Sequence, residues 1–189
     1  VGADFRADLE SCRRLIGVSC RGREGYVPTN AVTAIRSAPG RFDTLIVAAG
    51  YNDVTGTFPA GVHSVVTAAR ERGISRIVWI TYREPVTYRS PAGASNAQTF
   101  AANNATLRSM LATGLYPEIE LADWNAYTAS RSSWFTTDGV HLSAEGAIVA
   151  AGFVSDALAH LERRPCPTAG RPPGATAQGG WCALPRRTS

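Results

Sequence analysis

An aspartate and a histidine three residues apart, Asp138 and His141, stand in the stretch Thr136-Thr137-Asp138-Gly139-Val140-His141-Leu142, directly ahead of a helix that opens at Ser143. That spacing can set an imidazole in a cleft with a carboxylate beside it. A carboxylate so placed fixes the tautomer of the ring and stabilises the imidazolium that forms when the ring takes a proton; this is general-base chemistry. Another polar group lies far upstream. The apolar, β-branched run Thr44-Leu45-Ile46-Val47-Ala48-Ala49 stops at Gly50-Tyr51-Asn52-Asp53. Such a run reads as a buried parallel strand with polar groups at its carboxyl end, where open α/β sheets place their ligands.

The elements that must hold these residues follow from periodicity. Phe5, Ala7 and Leu9 alternate with Arg6, Asp8 and Glu10, which predicts an edge strand with one wet face. Thr29 or Asn30 can cap a helix carrying Ala31, Val32, Ala34 and Ile35, ended by Pro39-Gly40. Residues 54–61 read as a loop. A helix follows over 62–72, with Val62, Val65, Val66 and Ala69 on one face and Gly73 as its stop. Ile77-Val78-Trp79-Ile80 is a second buried strand, with Trp79 in the core, and residues 83–94 form a long loop over the site face. A helix over 100–111 and a third strand at Ile119-Glu120-Leu121-Ala122 come next, then a loop over 127–137. Ser143 caps the last helix, whose Ile148, Val149, Phe153 and Leu158 face the core. Strands alternating with helices predict an α/β fold, a parallel sheet between helix layers. The domain is expected over 1–163, and 164–189 is a Pro/Gly/Arg-rich tail; Arg163 at the boundary and Arg164, Arg186 and Arg187 within the tail read as a solvated basic end.

Composition bounds the function. With 44% hydrophobic residues and only 18% charged, the chain has material for a core and is not a disordered one. No apolar stretch reads as long enough to span a bilayer, which predicts a soluble piece. The net charge of +4 comes without basic runs interleaved with aromatics, so nucleic acid is not expected as a partner. All 19 basic residues are Arg, a bias of genome composition rather than chemistry. The cysteines form two local pairs, Cys12 with Cys20 and Cys166 with Cys182; pairing within each needs the least loop closure and implies an oxidising compartment, hence export. Metal ligation competes, but the spacings match no zinc pattern and no His sits near either pair. The chain starts at Val1 without a signal peptide and reads as processed or a fragment.

Taken together the sequence resembles the SGNH, or GDSL-type, hydrolases, particularly exported actinobacterial members with cysteine-clipped loops. Gly50-Tyr51-Asn52-Asp53 is similar to the family's Gly-x-Asn-Asp block. Asp138-Gly-Val-His141 followed by Leu-Ser-x-Glu-Gly is similar to its closing Asp-x-x-His block, and Gly25 sits where the family carries its block glycine. The resemblance implies a three-layer α/β/α sandwich with a flavodoxin-like parallel sheet. It implies His141 as base, Asp138 as its orienter, and Gly25 and Asn52 as oxyanion donors, with no metal and no cofactor. The substrate would be a small-molecule or glycan ester, hydrolysed through an acyl-serine in the secreted or cell-envelope space. The same residues could instead serve a glycan O-acyltransferase, or a catalytically inactive ligand-binding relative.

One departure stands out: the chain has no Gly-Asp-Ser. In the family that block follows the first strand and precedes the glycine by a βαβ-scale interval of roughly 30 residues or more. That count puts it before Val1, so the first strand and the nucleophile are expected upstream. In the order 2-1-3-4-5 that strand is interior, so an upstream segment or a partner chain would complete the sheet. Gly17-Val18-Ser19 is the only imitation, and Ser19 lies just ahead of Gly25 with no room for a helix between. The bland readings stand beside these roles: Asn52 as a turn former, Gly25 as a turn glycine, Asp138 and His141 as a capped helix start. Asp53 is expected as a structural acceptor, and His63 and His160 as surface residues without a paired acid. Tyr82, Arg83 and Trp134 lie near the expected site mouth, as acyl or sugar contacts or as loop filling.

Overall fold

The structure is a computed structural model and describes residues 5–87 and 96–162. The described chain divides into two compact units, residues 5–43 with 49–75, and residues 44–48 with 76–87 and 96–162. The tail and the Cys166–Cys182 pairing lie outside the described residues.

In the first unit Asn30 starts α1 (Ala31–Ser37): its Oδ1 accepts the Thr33 amide at 2.9 Å, satisfying a donor that the first turn leaves open. Helix α2 (Phe58–Glu71) begins inside the expected loop, because Pro59 in its first turn has no amide to lose. Val62, Val65, Val66 and Ala69 form its buried face, as their spacing predicts. Leu15 is fully buried against this helix, and a Cβ on Gly61 would come within 3.0 Å of it. Arg72 donates to the carbonyls of Ala38 and Gly40 at 2.6 and 2.7 Å, tying the end of α2 to the chain beyond α1. The Cys12–Cys20 disulfide is present. The expected edge strand is not. Residues 5–10 are irregular, with Phe5 66% and Leu9 84% exposed. Alternation alone supplies no sheet neighbour, and an Arg13–Asp8 ion pair at 2.9 Å with a left-handed Cys12 (φ 66°) bends the chain instead.

Asp53 is buried, and its Oδ2 accepts the Leu15 amide at 2.9 Å, the structural role read for it. Burial pushes its carboxyl up to about 6, against the lowering pull of that amide. The folded protein therefore holds a proton here that the unfolded chain has released, between about pH 4 and 6. Stability through this group is greatest below that window and falls as pH rises through it. Asp53→Asn, which keeps an acceptor for Leu15, is expected to remove up to about 3 kcal/mol of that slope. Denaturant midpoints of both proteins at pH 4.5 and 7 measure it; parallel changes would show Asp53 ionised throughout.

The second unit holds a parallel sheet with the order β1 (Thr44–Val47), β2 (Arg76–Ile80), β3 (Ile119–Ala122) among the described residues. Thr44 lies opposite Arg76, and Ile77 opposite Ile119. Trp79 is completely buried, as expected. Helix α3 (Asn96–Ala112) precedes β3, and α4 (Trp124–Thr128) follows it, capped by Asp123. The loop expected over 127–137 thus contains the end of α4 and a 3₁₀ turn, Ser132–Trp134. An aromatic cluster packs against this segment. Phe153 sits 5.1 Å from Trp124 and 5.0 Å from Tyr127, and Phe135 meets Trp124 edge-on at 6.0 Å.

Helix α5 (Ala144–Leu161) lays Val149, Phe153 and Ala157 into that core. Ile148 was expected there as well but is 65% exposed: the buried stripe runs 146, 149, 153, 157, which turns position 148 outward. By length and composition only, with a mean hydropathy of 1.2, α5 is long and apolar enough to cross a membrane, a test that the core helix of a soluble protein also passes. His160 on α5, expected without a paired acid, has one: Glu120 lies 3.3 Å away.

Candidate active site

The residues from Phe135 to Leu142 form a narrow loop. Its ends meet in an antiparallel bridge between Phe135 and Leu142, and the Thr136 amide donates to the His141 carbonyl at 2.7 Å. The loop runs directly into α5, whose cap Ser143 accepts the Gly146 amide at 3.1 Å and donates its own amide to the Trp134 carbonyl at 2.9 Å. Trp134 in turn donates its indole N–H to Glu145 at 3.1 Å. Trp134 is therefore buried framework rather than a contact at the mouth, as are Tyr82 and Arg83.

Inside the loop the two oxygens of Asp138 have separate tasks. Oδ1 accepts from the Val140 amide at 2.8 Å, the His141 amide at 3.0 Å and the Thr136 hydroxyl at 2.8 Å. Oδ2 lies 2.6 Å from His141 Nδ1. Burial works to raise the Asp138 carboxyl. The His141 ring, the amides of His141 and Val140 and the Thr136 hydroxyl outweigh it and hold the carboxyl well below the usual carboxylate range. An ionised Asp138 keeps the ring proton on Nδ1, so Nε2 presents a lone pair. The His141 side chain is 44% exposed, and its Nε2 has no hydrogen-bond partner among the described residues. Such an arrangement can take a proton from a hydroxyl brought to Nε2 and return it to a leaving group.

Gly139, between the pair, has φ 74°, which L side chains rarely adopt. A Cβ there would also lie 2.9 Å from Arg83 Nη1 and 3.1 Å from the Pro85 carbonyl. The segment 81–87, following β2, presses on this turn. Arg83 is 3% exposed; its Nη1 donates to the Gly139 carbonyl at 3.1 Å, and its guanidinium stacks 4.3 Å above the Phe135 ring. Thr87 donates its amide to the Asp138 carbonyl at 3.0 Å and its hydroxyl to the Thr137 carbonyl at 2.8 Å. Sequence reasoning missed Thr136 and Thr87. The one signal for Arg83 was its place just past the carboxyl end of a strand.

Gly25 and Asn52 belong to the first unit. Gly25 is exposed with φ 87°; its amide donates to the Gly22 carbonyl at 3.1 Å in a turn. Asn52 is exposed in the turn closed by the Asp53 amide on the Gly50 carbonyl at 3.1 Å, and its Oδ1 lies 4.0 Å from Cys20 Sγ. Ser19 is 6% exposed, and its Oγ accepts the Arg14 amide at 3.2 Å. His63 is exposed. Among the described residues no group of His, Cys, Asp or Glu side chains could hold a metal ion. No protein-family model matches this chain, and no curated protein sequence matches it.

Proposed function

We propose that this chain carries the closing catalytic block of an exported SGNH-type serine esterase, built on a three-layer α/β/α sandwich with a flavodoxin-like sheet. The observation that carries the reading is the 2.6 Å contact of Asp138 Oδ2 with His141 Nδ1, with Oδ1 held by three donors and the far ring nitrogen open. The order β1-β2-β3 supports the fold: it is the order of the last three strands of 2-1-3-4-5. The Cys12–Cys20 disulfide supports an oxidising, secreted or cell-envelope location.

In this reading a serine hydroxyl attacks the acyl carbonyl of an ester. His141 takes its proton and passes it to the departing alcohol, and water then releases the acid from the acyl-serine by the same exchange in reverse. Asn52 and the Gly25 amide are assigned to the oxyanion, which would compete with the Gly22 carbonyl for that amide. The serine is assigned to upstream sequence rather than to Ser19, whose hydroxyl is buried on a backbone amide. The alternative reading is an inactive ligand-binding relative. Turnover of p-nitrophenyl acetate by the chain with its native upstream sequence separates the two; no turnover of this or longer-chain esters would sink the enzyme reading. Product analysis with an acceptor sugar present distinguishes hydrolysis from O-acyl transfer.

A further inference from the structure

We propose that Arg83 is a positioning residue for the Asp138–His141 pair, holding the turn between them through the Gly139 carbonyl. The proposal rests on the catalytic reading of that pair. A guanidinium at 3% exposure is costly to desolvate, and the bonds of its Nη1 offset part of that cost. Here Nη1 reaches the carbonyls of Pro85 and Gly139, and the plane lies on Phe135, the residue at the root of the loop. The same cation thus touches the base of the loop and its tip.

The grip is possible because position 139 has no side chain. Besides Arg83 and Pro85, a Cβ would meet Val86 Cα at 3.1 Å, so any side chain at 139 would have to push this backbone away. Thr87 adds two bonds on either side of the aspartate, to the carbonyls of Thr137 and Asp138. The gripping segment is itself fixed at its other end. Asn104 accepts the Tyr82 amide at 2.9 Å and donates to the Tyr82 carbonyl and Glu84 Oε1 at 2.7 and 2.8 Å; Asn125 accepts the Glu84 amide at 2.9 Å. Asn104 is 1% exposed, so this anchor is internal. A continuous polar chain therefore links α3 and α4 to the turn that aims the histidine.

A purely structural arginine would change stability and leave the imidazole alone. The discriminating readout is the ring tautomer of His141, read from its ¹⁵N shifts in the folded protein, with kcat measured on the chain carrying its native upstream sequence. The wild type is expected to hold the Nδ1–H form, because Asp138 accepts that proton. In Arg83→Met the ring is expected to become a mixture of tautomers, with kcat down by about 10- to 100-fold and KM within about threefold. Arg83→Lys keeps the charge and most of the volume but not the fork, so it should fold and shift the ring in the same direction. A folded Arg83→Lys or Arg83→Met protein with the wild-type tautomer and undiminished kcat overturns the proposal; should the Met variant not fold, the Lys variant decides alone. If the wild type hydrolyses no ester, the catalytic reading fails, and the tautomer measurement still decides whether Arg83 sets the pair.

Discussion

Replacing His141 with alanine, in the chain with its native upstream sequence, is expected to lower kcat for p-nitrophenyl acetate by about 10⁴-fold or more with little change in KM. Among the described residues no other side chain is placed at that nitrogen to accept the proton. Asp138→Asn is expected to cost about 10³–10⁴-fold, although the shape is unchanged. The reason lies in how the two oxygens are occupied. Three donors converge on Oδ1, so an asparagine there must keep its oxygen on that side. Its NH₂ then faces Nδ1, which must accept. The ring proton moves to Nε2, and the nitrogen that should take the serine's proton already carries one. Steady-state kinetics of the two variants check this; a folded His141→Ala protein with parental turnover would remove the residue from the mechanism.

Gly146→Ala is expected to be the most destabilising single-methyl change in the described chain. In most helices this exchange stabilises by about 1 kcal/mol, because alanine loses less backbone freedom. At position 146 the new Cβ would lie 1.8 Å from the Trp134 carbonyl oxygen and 2.8 Å from its carbon. These are backbone atoms, and that oxygen is already held by the Ser143 amide. The first turn of α5 has to lift away, breaking the cap. A loss of about 3 kcal/mol or more is expected, with Tm lower by about 10 °C. Thermal melts beside Ala147→Gly, on the exposed side of the same turn, provide the comparison. A Gly146→Ala protein as stable as the wild type would mean that the helix start does not press on Trp134.

Much of this was legible in the sequence. Ile119–Ala122 is a strand at its expected bounds, Ser143 caps the helix assigned to it, and Asn30 is the one of the two offered residues that caps α1. Each signal was local: a β-branched apolar run, or a short polar side chain ahead of a periodic stretch. Asp138 and His141 meet because three residues of turn suffice to bring them together. Non-local facts were not legible. Nothing in the spacing told that Arg83 would cross to residue 139, or that Glu120 would find His160 on a helix forty residues on. The Phe5–Leu9 alternation failed for the opposite reason: it is a local pattern whose outcome depends on a neighbour. Ile148 failed by phase, since the buried stripe of α5 is set from Gly146 rather than from the nearest apolar side chain.

The bond from Ser143 to the Trp134 carbonyl has a dynamic consequence. The loop carrying the imidazole is stapled at its root by the same amide that begins α5. Large excursions of His141 therefore require the helix to fray backwards from its first turn, a cooperative local opening rather than a free swing of the loop. The rate at which the loop backbone opens is then governed by helix melting, and binding of anything that quiets the start of α5 would slow it.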